Sequence, residues 1–172
     1  TYACYLAELV DAFAEEGEEN QALYSLLTLG LERLAAGDDP GLLARFFELR
    51  LLNCVGYRPD LQRCVDCGAR HEPVAVFFSP AEGGARCPRC GARGSGDLPL
   101  SLRAFKVLRY VQDQEYPAVA GLRLRPETAR EVAAVLRRYL TYILERHLKS
   151  ADCLDLVQAD SATKLDRDPQ SR

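Results

Sequence analysis

Histidine is scarce in this chain, with two in 172 residues, and methionine is missing altogether. So little imidazole excludes most His-based catalysis, and no His-Glu-x-x-His, nucleophile elbow or Gly-rich phosphate loop occurs. Apolar runs stay short of the ~18 residues that span a bilayer, and no signal-peptide pattern opens the chain. These absences predict a cytoplasmic protein that is not an enzyme, with its thiols kept reduced. Without Met, and starting directly in the helical-looking Tyr2-Ala3-Cys4-Tyr5-Leu6, the sequence reads as a piece of a longer chain.

What is present suits a globular domain: 48% hydrophobic and 27% charged residues. Leucine recurs at helical spacing through three stretches, 1–15, 20–36 and 41–54. Gly17 in an acidic run breaks the first from the second, and Gly37-Asp38-Asp39-Pro40 separates the second from the third. Beyond residue 98 a helix carries Leu102, Phe105, Leu108 and Val111 until Tyr116-Pro117 stops it. A long helix follows Pro126, and the polar end from about Asp155 loses periodicity. The expected fold is mainly α: a helical bundle with a small inserted four-Cys zinc ribbon of short β-strands. Its predicted parts are helical residues 1–60, an insert over 61–97, helical residues 98–154 and a flexible polar tail, 155–172.

The insert holds the most specific signal. Cys64-x-x-Cys67-Gly68 and Cys87-x-x-Cys90-Gly91 are separated by a predicted strand over 74–78 and turn residues. Two such knuckles can present four thiolates to structural Zn²⁺, with each Gly free to take φ > 0. A segment of 28 residues, 64–91, lies below the ~40 at which domains usually fold without metal or disulfide. Two other readings compete. A thiol oxidoreductase would use one Cys pair at a helix N-terminus, and catalytic zinc would keep an open position with His nearby. His71, in Arg70-His71-Glu72, reads as a solvated loop residue, while Cys4, Cys54 and Cys153 read as buried small hydrophobes.

Charge is uneven along the chain. Residues 1–60 carry 4 basic and 11 acidic side chains, whereas residues 101–149 carry 10 and 5. Any polyanion, DNA included, would meet the second half, where the candidate contacts are Arg103, Lys106, Arg109, Arg123, Arg125, Arg130, Arg137 and Arg138. The pattern alone favours a solvated helix surface over phosphate contacts. Residues 63–93 add five Arg against three acids, but a Zn(Cys)₄ centre would bring that lobe to near neutrality.

Four stretches, 2-YACYLAELVDAF-13, 46-FFELRLLNCVGYRPDLQRCVDCG-68, 77-FFSPAEGGARCPRC-90 and 139-YLTYILERHLKS-150, together resemble the bacterial RecO family of recombination mediators. The resemblance implies a helical domain with a zinc-binding insert, the zinc being structural. In that family an N-terminal OB-fold precedes it, whereas this chain begins at the first helix of the helical part. It also implies binding to single- and double-stranded DNA, strand annealing, association with RecR, and RecA loading on strands coated by single-strand-binding protein. That protein's acidic C-terminal tail docks on the helical domain of some members. Against this stand two alternatives: a protein-interaction scaffold with structural zinc and no DNA contact of its own, and the thiol oxidoreductase.

Overall fold

The structure, a computed structural model, describes residues 1–14 and 20–165, with side chains described to residue 146. The predicted break at Gly17 lies outside the described residues. Helix α1 (Tyr2–Phe13) leads to α2 (Gln21–Ala35) and α3 (Pro40–Cys54). Local chemistry sets these boundaries. The Asn20 side chain accepts from the Leu23 amide, and Asp39 accepts from Gly41 and Leu42, with Pro40 opening α3. Gly56, at φ 83°, ends α3 and lets the Tyr57 amide reach back to the Leu52 carbonyl.

Helix α3 is apolar nearly all round, and it is buried nearly all round, from Leu42 to Leu52. It packs against α1 and α2, and against α4 (Leu102–Asp113), α5 (Tyr116–Ala120) and α6 (Pro126–Leu165). No helix among the described residues is long and apolar enough to cross a membrane.

The insert and the three residues that follow it form a three-stranded antiparallel sheet in the order β2-β1-β3, from β1 (Val76–Ser79), β2 (Gly84–Arg86) and β3 (Leu98–Leu100). It is no free-standing lobe. Phe78 and Ala85 are fully buried, and with Leu61, Val76 and Leu100 they join the same core as the helices. Phe78 meets Tyr139 of α6 edge-on at 5.3 Å, and the Tyr139 hydroxyl donates to the Tyr57 carbonyl. From α4, Gln112 donates to the Pro59 carbonyl.

Three local readings need correcting. Leu98-Pro99-Leu100 pairs with β1 as an edge strand, where Pro99 is tolerated because its missing N–H faces outward. Tyr116-Pro117 ends nothing by itself: α4 stops at Asp113, and the proline sits in the first turn of α5, where its absent N–H costs nothing. Helix α6 runs to Leu165, past the Asp155 where periodicity fades, and residues 166–172 of the predicted tail lie outside the described residues.

Gly84 is where the insert grips the chain that enters it. Its backbone faces Asp60 in a parallel bridge, and the Ala85 amide donates to the Asp60 carbonyl. A Cβ at position 84 would lie 2.5 Å from that carbonyl oxygen and 2.7 Å from Val65. Gly84→Ala is therefore expected to cost about 1–3 kcal/mol in urea unfolding, because backbone has to move.

Candidate metal centre and arginine cleft

The four sulfurs of Cys64, Cys67, Cys87 and Cys90 lie within 4.8 Å of one another, although 19 residues separate the two pairs. Cys67 and Cys87 Sγ are 3.8 Å apart. That distance matches the about 3.8 Å tetrahedral edge implied by Zn–S bonds of about 2.3 Å. Both pairs sit in turns, followed by Gly68 at φ 71° and Gly91 at φ 64°. The positive φ lets the Gly68 and Gly91 amides bond back to the Cys64 and Cys87 carbonyls, which closes each knuckle. The Cys87 amide then donates to Cys64 Sγ at 3.3 Å.

Electrostatics favours a bound cation. Burial opposes ionisation of Cys64, but amides of Cys67, Cys87 and Asp66 outweigh it and bring the thiol down to about 6. Amide donation from Cys90 likewise lowers Cys87. Cys90 is pushed up to about 12, by desolvation first and then by its sulfur neighbours. Four cysteine sulfurs gathered this closely could hold a metal ion, and four thiolates would suit the tetrahedral coordination of Zn²⁺. Neither pair lies at a helix N-terminus, the setting an oxidoreductase thiol requires.

A buried ionic cluster joins the knuckles. Arg86, just before Cys87, pairs with Asp66 inside the first knuckle at 3.0 Å and with Asp97. Its side chain is 7% exposed and that of Asp97 2%. Burial works against the Asp97 carboxylate, but amides of Gly94 and Arg93 and the Arg86 guanidinium hold its pKa below the ordinary value. Arg86 is thus a structural cation, unavailable to any phosphate. Arg63 and Arg93 donate to the Gly68 and Cys90 carbonyls, so they too brace the knuckles.

His71 is half-buried rather than solvated, edge-on to Phe105 at 5.2 Å, and burial lowers its pKa. It stands outside the sulfur cluster. Cys4 is exposed and Cys54 half-buried, against the expectation of burial, and Cys153 lies outside the residues whose side chains are described.

The basic candidates divide into groups. Arg103 and Lys106 are exposed on α4, and Arg125 is exposed before α6. Arg109 lies over the Phe105 ring and donates to Gln62. Arg138 lies beside Gly96 of the insert. Arg123, Arg130 and Arg137 instead line, with Arg45, a cleft of about 360 Å³ whose lining also includes Leu42, Leu122, Leu124 and one acid, Asp39. Sequence reasoning missed Arg45 because segment 1–60 is acidic on balance. The available signal was an arginine inside the otherwise apolar run 42-LLARFF-47.

Comparison with known proteins agrees with this architecture. The family model described as "Recombination protein O C terminal" matches residues 1–152. The chain is 45% identical over 156 residues to the DNA repair protein RecO of Roseiflexus sp. (strain RS-1), covering 91% of this chain and 55% of that protein. It is 41% identical over 155 residues to the Pelotomaculum thermopropionicum RecO, covering 90% and 59%. For the Symbiobacterium thermophilum RecO the values are 38% over 161 residues, 92% and 64%. The chain thus spans somewhat over half the length of these curated relatives. A match along nearly the whole of the helical body and its four-cysteine insert shows that the chain belongs to the RecO family.

Proposed function

We propose that this chain is the helical, zinc-stabilised part of a cytoplasmic DNA repair and recombination mediator without catalytic chemistry. In this reading it helps hold single- and double-stranded DNA, promotes strand annealing and RecA loading, and works with RecR and single-strand-binding protein. Family membership supports the class. The observation that carries the reading is the cleft lined by Arg45, Arg123, Arg130 and Arg137 together with Leu42, Leu122 and Leu124, four cations against the single acid Asp39. Guanidinium groups bind carboxylates through paired, charge-assisted hydrogen bonds, and the leucines suit apolar side chains between the acids. An acidic tail such as that of single-strand-binding protein fits this chemistry. A concave pocket receives a flexible tail more readily than a stiff duplex, whose phosphates are better met by exposed Arg103, Lys106, Arg125 and Arg138.

Arg137→Glu is expected to weaken binding of a fluorescent acidic-tail peptide about ten- to hundredfold. Tail binding unchanged by that reversal would overturn the cleft assignment. DNA binding tests the rest: each phosphate contact on a single strand adds about −0.7 to the slope of log affinity against log salt. A slope near zero would favour the scaffold reading, which the engagement of Arg109 by Gln62 also supports.

A further inference from the structure

Beneath the arginine cleft lies a carboxylate that the proposed function does not use. Glu48 sits on α3 at 0% exposure, among Leu, Phe and Ala. Its Oε1 accepts from the Tyr5 hydroxyl of α1 at 2.5 Å and from Arg45 Nη2 at 2.7 Å. Its Oε2 is buried and has no hydrogen-bond partner, and neither has Arg45 Nε. Arg45 and Arg137 line a second cavity, with Tyr2 and Tyr5, that adjoins the cleft they also line. The groups facing Glu48 are therefore Tyr5 from α1, Arg45 from its own helix and Arg137 from α6.

We propose that Glu48 is a proton-gated positioning residue of this cleft: ionised, it holds Arg45 and cancels its charge, and protonated, it leaves that charge to the incoming anion. The inference rests on the cleft being an anion site. The geometry makes Glu48 and the anion competitors for one guanidinium, because Arg45 spans the gap between the buried carboxylate and the cleft. Burial without a partner for Oε2 sets the pH at which the exchange occurs. Burial raises the Glu48 pKa to about 7, and the opposing pulls of Arg45, Tyr5 and Arg137 do not restore it. The sign follows from the charge: above pH 7 Glu48 adds a compensating negative charge to that of Asp39 in the cleft lining, and below it the Glu48 charge is gone. Linkage is reciprocal, so a bound anion raises the proton affinity of Glu48 and binding takes up protons.

The test uses the whole 172-residue chain and an acidic peptide whose carboxylates stay ionised between pH 6 and 8. Affinity is expected to rise about five- to tenfold from pH 8 to pH 6, within the usual range of coupling between sites. Calorimetry in two buffers of different ionisation enthalpy should show net proton uptake near pH 7. Glu48→Gln keeps an oxygen for Tyr5 and Arg45, and should bind at pH 8 as tightly as the unaltered chain does at pH 6, with the pH dependence and proton uptake gone. Binding that is independent of pH, or whose pH dependence survives Glu48→Gln, overturns the inference while leaving the cleft assignment standing. No binding at any pH sinks the cleft assignment itself. Should Glu48→Gln fail to fold, proton uptake in the unaltered chain still decides.

Discussion

Replacing Cys87 with Ser is expected to abolish stoichiometric zinc and to leave a chain that melts at least ten degrees lower, or does not fold. Structural zinc sites contribute about 10–16 kcal/mol, comparable with or larger than the about 5–15 kcal/mol that holds a whole domain. The loss would not stay local, because the ligands are wired into the core. Cys87 follows directly on β2, whose Ala85 is fully buried and whose partner strand carries the equally buried Phe78. Letting the second knuckle go frees β2, and with it the Asp60 bridge to the incoming chain. Elemental analysis, thiol titration and thermal melts check this together. The native protein should carry one zinc per chain and protect four of its seven thiols from alkylation. A metal-free chain with four ordered thiols and an unchanged melting point would refute the metal centre.

Arg86→Met is expected to cost about 3–5 kcal/mol, measured by denaturant unfolding of the zinc-loaded protein. Methionine nearly preserves the packed volume, so the cost is chiefly electrostatic. Asp97, at 2% side-chain exposure, would lose its guanidinium partner and keep only neutral donors, the Arg93 and Gly94 amides and the Ser79 side chain. Asp66, between Cys64 and Cys67, would lose its buried partner. Charge burial without compensation is the expensive event, so Asp97→Asn with Arg86→Met should recover part of the loss. Zinc release to a chelator should also quicken, since Arg86 ties one knuckle to the other. Stability and release both within error of the unaltered chain would show the cluster to be incidental.

The helices and the gathering of the four cysteines were legible because each follows from spacing along one segment. Leucine periodicity and the Asn20 and Asp39 caps mark helices, and two Cys-x-x-Cys-Gly pairs mark knuckles. What escaped depended on contacts across the fold. Leu98-Pro99-Leu100 becomes a strand only because β1 lies alongside it, and nothing local separates three such residues from a helix lead-in. The size of residues 64–91 suggested a segment ordered by metal alone, but Phe78 and Leu61 also join the core formed with helices distant in sequence. Arg86 looked like one of five available cations, yet its partners Asp66 and Asp97 lie 20 and 11 positions away. Summed charge hid Arg45 for the same reason: a segment's balance says nothing of which side chains converge.

The short strand β3 carries one more implication. It ends at Leu100, and Ser101 at once caps α4 while both its amide and its hydroxyl bond to Glu131 on α6. Strand, helix cap and α6 thus meet at one residue. Loss of the Glu131 carboxylate would therefore loosen the end of β3 and the start of α4 together.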